Sequence, residues 1–199
     1  MDGLAYLGPE RFTGQSFVVH LPRERIGVLI GPGGKTKQEV ERRLSVSLDI
    51  DSRDGTVVIN LSKPPEEGGD PSSLFKARDI ATAIGRAFSP ERAFKLFEDD
   101  VVLTIIDLSE YVGRSSSNLT RVRARLIGTA GKTRKIIEEN CHVDLSIYGD
   151  TVAIIGSAQD VKAAEEAVTT LIKGAPHNAI YRMVDEYARR RKGGLFRPR

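Results

Sequence analysis

Apolar and polar positions along this chain fall into two series that keep one register. Val40, Val46, Leu48 and Ile50 are answered 97 positions later by Ile137, Val143, Leu145 and Ile147. After a gap two residues shorter, Val57 and Ile59 are answered by Val152 and Ile154. Within the first series, Ser16 to Leu21 alternates and predicts a strand that Pro22 stops. Arg23 to Ile30 predicts a short helix with Ile26, Leu29 and Ile30 at i, i+3 and i+4. A second helix is expected to run from a Thr36 cap to Leu44, with Val40 and Leu44 on one face. Ser47 to Asp51 and Thr56 to Leu61 predict strands around a polar turn. A Pro/Gly/acidic loop, Lys63 to Asp70, leads to a longer helix over Ser73 to Phe88.

The second series repeats that order: a strand over Val101 to Ile106, helices around Gly128–Gly131, strands over Asp144 to Tyr148 and Thr151 to Ile155, and a helix from Gln159 to Lys173. An insertion, roughly Leu108 to Asn118, has no counterpart in the first. The segments after the long helices also echo, Ser89 to Phe94 resembling Ala175 to Ile180. The periodicities thus predict an α+β chain of two domains, each strand–helix–helix–strand–strand–helix around a three-stranded sheet. The expected boundaries are an extension over 1–14, a first domain over 15–98, a second over 99–176, and a C-terminal helix with a basic tail over 177–199.

Length fits that division, since 199 residues suit two domains better than one small one. No apolar run approaches a membrane span, and the first residues lack the pattern of a secretory signal. Cys141 is the single cysteine, which excludes an internal disulfide and points to a reducing, cytoplasmic setting. Asn and Gln number seven together against 29% charged residues, a composition that hints at a heat-adapted source. The three histidines are scattered, so no metal site is expected. Cys141 reads as a core residue, and Glu138-Glu139 and Glu165-Glu166 as solvated helix faces.

Charge is uneven. Residues 1–99 carry 14 basic and 15 acidic side chains, net −1, and residues 100–199 carry 16 and 12, net +4. From Tyr111 through Ile137 there is no acid, yet seven basic residues occur: Arg114, Arg121, Arg123, Arg125, Lys132, Arg134 and Lys135. They straddle the second copy of a repeated glycine loop, Gly128-Thr129-Ala130-Gly131-Lys132-Thr133-Arg134; the first copy, Gly31-Pro32-Gly33-Gly34-Lys35-Thr36-Lys37, sits in a shorter acid-free window, Arg25 to Gln38, with Arg25, Lys35 and Lys37. A solvated face is the ordinary explanation of such a run; centred on a glycine loop, it points to an anion site.

Three readings of the loop compete. A nucleotide-cradling P-loop needs a glycine where Leu29 and Leu126 stand, and it needs a strand before the loop where both copies predict helix. A helix–turn–helix corner explains the glycines but not the Lys-Thr pair kept in both copies. A nucleic-acid clamp explains both: bare backbone lets a phosphate approach, the following helix adds partial positive charge, and nearby cations complete the site.

Ile-Gly-x-x-Gly-Lys-Thr between two helices, in this element order, resembles the KH domain of type I topology, whose loops clamp about four nucleotides of a single strand. Beyond residue ~15 the chain is similar to one narrower family, the archaeal tandem-KH relatives of eukaryotic partner-of-Nob (Dim-type) rRNA processing factors. That resemblance rests on stretches such as Ala83 to Ala93, Arg125 to Gly128, Lys132 to Glu139 and Tyr148 to Gly156. It implies binding near the 3′ end of small-subunit rRNA, contact with the PIN-domain endonuclease that trims that end, and a link to the alpha subunit of translation initiation factor two. KH loops often carry a basic residue between the glycines. Here Pro32-Gly33 and Thr129-Ala130 stand there, and Pro32 also lacks an N–H, so the first loop is expected to bind more weakly.

The sequence therefore predicts a non-enzymatic, cofactor-free protein that binds single-stranded RNA. Gly128 to Lys132 with Arg121, Arg123, Arg125 and Arg134 form the main site, and Gly31, Pro32, Gly33, Gly34, Lys35 and Lys37 the lesser one. The alternative is a protein-binding scaffold in translation or ribosome assembly with weak RNA binding.

Overall fold

The chain enters its first sheet through a two-residue strand, β1 (Arg11–Phe12), paired antiparallel to β2 (Ser16–His20). The computed structural model describes residues 11–12 and 16–193; most of the N-terminal extension and the end of the basic tail lie outside them. By contact, the chain divides into two units, Met1–Phe97 and Glu98–Arg199.

In the first unit, α1 (Arg23–Ile30), a 3₁₀ turn over Pro32–Gly34, α2 (Lys35–Leu44), β3 (Val46–Ile50), β4 (Thr56–Leu61) and α3 (Ser72–Gly85) follow in order. The strands pair antiparallel as β1-β2-β4-β3, so the three strands of the domain gain a short edge strand. Val19 and Leu21 beside β4, Ile26 and Leu29 of α1, Val40 and Leu44 of α2, Val57 and Ile59 of β4, and Leu74, Ile80 and Ile84 of α3 are all buried. Burying each such side chain stabilises the fold by about 1.5–3 kcal/mol against leaving it exposed.

The second unit runs β5 (Val101–Asp107), α5 (Ser109–Val112), α6 (Ser116–Ile127), a 3₁₀ turn over Thr129–Gly131, α7 (Lys132–Cys141), β6 (Asp144–Tyr148), β7 (Thr151–Ser157), α8 (Ala158–Ile172) and α9 (His177–Lys192). Its sheet is antiparallel in the order β5-β7-β6. Leu119, Val122 and Leu126 of α6, Ile137 and Cys141 of α7, Leu145, Val152 and Ile154 of the sheet, and Val161, Val168 and Leu171 of α8 share one core with Ile180 and Val184 of α9. Each unit therefore carries strand–helix–helix–strand–strand–helix, the order the apolar pattern predicts.

Several local expectations need correction. Thr36 does not cap its helix: Gly34 holds the N-cap position, and Thr36 is buried inside the first turn. The helix α3 stops at Gly85 rather than Phe88, because Ala87 turns left-handed at φ 68°. The insertion Leu108 to Asn118 is largely helical, supplying α5 and the first turn of α6. The echoing segments after α3 and α8 diverge: the first forms only a four-residue helix, α4 (Pro90–Ala93), and a 3₁₀ turn over Phe94–Phe97, whereas the second opens the 16-residue α9.

Glu138 is not a solvated side chain. Its Oε1 accepts from the backbone N–H of Leu145 at 2.9 Å and tethers α7 to β6, while Arg134 lies 3.3 Å from its other oxygen. The first unit repeats the device: Glu41 accepts from the N–H of Leu48 at 2.8 Å, with Lys37 at 3.7 Å. Glu139 is the solvated one, exposed and, among the described residues, paired with Lys135 alone.

Candidate nucleic-acid interface

Gly128 closes α6 at φ 72° and its N–H donates to the carbonyl of Ala124. A Cβ added there would stand 2.3 Å from Thr133 Oγ1; at Gly31 it would stand 2.2 Å from Thr36 Oγ1. The threonine of each Gly-Lys-Thr is thus the floor beneath the first glycine, buried at 1% exposure for Thr133 and 6% for Thr36. This accounts for the Lys-Thr pair in both copies: threonine packs inward and lysine points out. The loop tip, Thr129-Ala130, is exposed, and Ala130 sits at φ 52° where the first copy has Gly33 at φ 60°.

The cations expected around the second loop do not form one patch. Residues two apart on a helix point about 200° from each other and residues four apart about 40°. Arg123 and Ile127 accordingly share the flank of α6 that faces the β6–β7 turn. Arg123 Nη1 donates to the carbonyl of Gly149 at 3.1 Å and lies 3.8 Å from Asp150. Ile127 is an exposed apolar side chain at 40% exposure, next to the loop. Arg134, tied to Glu138, occupies the flank of α7 that faces β6.

Arg121 and Arg125 take the opposite flank of α6. They line an open cleft of about 400 Å³ together with Ala124, Gly128, Thr129, Lys132, Thr133, His177 and Tyr181. Its far wall is the first turns of α9. Tyr181 hydrogen-bonds Thr133 Oγ1 at 2.9 Å, and Lys132 Nζ sits 6.0 Å from the Tyr181 ring centre. Arg125 Nη2 donates to the carbonyl of Ala175 at 2.8 Å, and His177 Nε2 lies 3.0 Å from the carbonyl of Arg125. His177 and Tyr181 were not picked out from the sequence. Their only signal was the apolar spacing of Ile180, Val184 and Ala188, which orients α9 and leaves its opposite edge beside the loop.

In the first unit the loop Gly31 to Lys37 has the same backbone, with Gly33 and Gly34 left-handed. Pro32, Gly33 and Lys35 are exposed. Arg25, the other cation of that window, is structural: its guanidinium donates to the carbonyls of Ile84 and Phe88 at 2.8 and 2.6 Å. Leu29 and Leu126, where a P-loop needs glycine, are core residues at 0% and 1% exposure. The tail arginines are also engaged: Arg189 with Asp185, Arg190 with Glu186 and Arg191 with Asp160. Among the described residues no cluster of three or more His, Cys, Asp or Glu is arranged to hold a metal ion.

A Gly-x-x-Gly loop between two helices, packed on a three-stranded antiparallel sheet and occurring twice, defines a chain of KH domains. Comparison with known families agrees: the KH domain model matches residues 16–81, and one described as a eukaryotic-type KH domain (KH-domain type I) matches 102–189. A KH domain-containing protein of Methanocaldococcus jannaschii is 41% identical over 90% of this chain and 77% of its own length. The pre-rRNA-processing protein pno1 of Schizosaccharomyces pombe is 24% identical over 87% of this chain and 71% of its own. Among solved structures, a chain of the a/eIF2alpha–aDim2p–rRNA complex of Pyrococcus horikoshii superposes with a TM-score of 0.80 at 44% identity, covering 90% of this chain and 97% of that one. The chain belongs to the tandem-KH family of these Pno1- and Dim2-type proteins.

Proposed function

We propose that this protein holds a single-stranded segment of small-subunit rRNA near its 3′ end, so that other factors can cut or modify it. RNA binding in ribosome biogenesis is what the KH pair and the pre-rRNA-processing relatives support together. The observation that carries the site is the second loop: an exposed backbone tip, Thr129-Ala130, followed by Lys132, which has no ion pair with any described residue. Phosphates dock on Gly128, Thr129, Ala130, Gly131 and the Lys132 ammonium, where no side chain bars the main chain. Arg123 and Arg134 flank the strand on the β6 side, and Ile127 offers an apolar surface to a base. Gly31, Pro32, Gly33, Gly34, Lys35 and Lys37 form a weaker second clamp, with Pro32 withholding one donor.

The role is positional, with no catalytic residue and no cofactor. A solved relative is a complex with a/eIF2alpha and rRNA, which supports the initiation-factor alpha subunit as a partner. The PIN-domain endonuclease of small-subunit rRNA is proposed as a second partner on the family resemblance alone. Nucleoside triphosphate hydrolysis is not expected, because buried Leu29 and Leu126 fill the cradle position; turnover that copurifies and vanishes in Lys132→Ala would refute this. The deciding test is Thr129→Asp with Ala130→Asp. Two carboxylates at the phosphate seat should reduce RNA affinity at least tenfold in a folded protein, and unchanged affinity overturns the clamp.

A further inference from the structure

The cleft between the second loop and α9 lies on the flank of α6 away from the β6–β7 turn; it shares Gly128, Thr129 and Lys132 with the clamp and extends past them to Arg121, Arg125 and Tyr181. Three cations line it, Arg121, Arg125 and Lys132, with the aromatic ring of Tyr181, and no carboxylate is among its lining residues. Arg121 and Lys132 make no ion pair with any described residue, unlike Arg123, Arg134, Arg189, Arg190 and Arg191. The remaining groups are fixed in place. Arg125 is held by Ala175, the Tyr181 hydroxyl by Thr133, and His177 by the Arg125 carbonyl. A guanidinium has five donors, so the bond from Arg125 to Ala175 leaves others for a ligand.

We infer that this cleft is a second nucleotide subsite: it takes the nucleotide adjoining the clamped segment, with its phosphate between Arg121 and Lys132 and its base against Tyr181. The inference rests on the clamp reading, because Thr129 and Lys132 belong to both the loop and the cleft and the strand must cross the loop to enter. The chemistry matches one nucleotide in each respect. A phosphate needs unpaired cations free of neighbouring acids. A base needs a fixed ring, and base–aromatic stacking tolerates any base. About 400 Å³ lies within the range of small-molecule sites. Among the described residues the first unit has no counterpart of α9, since only a four-residue helix and a 3₁₀ turn follow its α3.

The test is titration of the full chain with a ten-nucleotide single-stranded RNA at several salt concentrations. Arg121→Ala with Tyr181→Leu should lower affinity roughly tenfold, the scale of one lost stacking contact. It should also make the log–log salt slope shallower by about 0.7, one phosphate contact on a single strand. Tyr181→Phe keeps the ring and should bind within about twofold of the parent. Arg121→Ala alone alters an exposed side chain, keeps the fold and should still show the slope change. Unchanged affinity and slope in the folded Arg121→Ala protein and the double variant overturn the subsite. The loop variant Thr129→Asp with Ala130→Asp reads the clamp separately: a loss there with no change in the cleft variants sinks the subsite alone. A loss in the cleft variants with none in the loop variant sinks the clamp, and with it the subsite as an extension of the clamped strand.

Discussion

At the scale of single residues, the loop's shape is set by what lies beneath it. Gly128 cannot carry a Cβ because Thr133 Oγ1 already fills the space, and its φ of 72° is strained for any L side chain. Gly128→Ala should cost about 1–3 kcal/mol in chemical denaturation. Ala130 is the reverse case, an L residue held left-handed at φ 52° where the first copy uses glycine. Ala130→Gly should leave stability unchanged or raise it by up to about 1 kcal/mol, since relief of strain is partly offset by the looser unfolded chain. Both glycines and the Gly-Lys-Thr run were legible as a loop between helices. What the threonine does was not, because a polar residue after a glycine turn reads as a cap until the backbone shows it buried within the first turn, facing the glycine.

At the scale of elements, tethers rather than propensity fix how helices meet the sheets. Glu138 holds the N–H of Leu145, and Glu138→Ala leaves that half-buried donor without its partner, a loss of about 1–3 kcal/mol. Two groups around α8 and α9 bear on pH. Burial, helped by the nearby Asp160 charge, pushes the Cys141 thiol up to about 12, and burial with the Asp160 hydrogen bond pushes the Tyr187 hydroxyl up as well. Both folded values lie above their unfolded ones, so the stabilisation is whole below about pH 8.5 and is lost as pH rises toward 12. Urea unfolding at pH 7 and 10 should give a lower midpoint at pH 10, and Cys141→Ala should narrow that gap. The helices and strands that the two copies share were legible to within a few residues, because core positions recur at 3.6 and 2. The splitting of Arg121 and Arg125 from Arg123 followed from that same period. A C-terminal helix was legible too, but not which side of the loop it walls, since that depends on contacts such as Tyr181–Thr133 made 48 positions apart.

At the scale of the whole molecule, the two units share a fold and a loop but not the surroundings of the loop. The second has uncommitted cations beside its glycines, while the first has spent Arg25 on its own frame and has Pro32 at the tip. Asp at Pro32 and Gly33 should therefore weaken RNA binding less than Asp at Thr129 and Ala130, as read by titration of both double variants. A single strand should bind more tightly than the same sequence annealed to its complement, because a duplex offers no unstacked base edges. With three to five phosphate contacts the log–log salt slope for the single strand should be about −2 to −3.5. Equal affinity for both forms at two salt concentrations would mean a nonspecific basic surface. Duplication was the most legible property of the chain; the inequality of the copies was visible in the basic run around the second loop and in Pro32 at the tip of the first.

Asp160 gives this asymmetry a mechanical side. Its buried carboxylate receives the Tyr187 hydroxyl at 2.7 Å and the Arg191 guanidinium at 3.0 Å, and a Ser157 hydroxyl at 2.7 Å. The Tyr187 and Arg191 contacts fall on the far half of α9, a helix of 16 residues and so about 24 Å long. His177 and Tyr181 touch the loop region from its other end. Seated in the core through Ile180 and Val184, the helix carries the Asp160 anchor at one end and His177 and Tyr181 beside the loop at the other, so a fault at the first is transmitted as play at the second. Asp160→Ala, which removes nothing from the RNA surface, should speed amide exchange along α9 and loosen RNA binding severalfold. Damage to this clamp can therefore originate at a residue that no RNA ever meets.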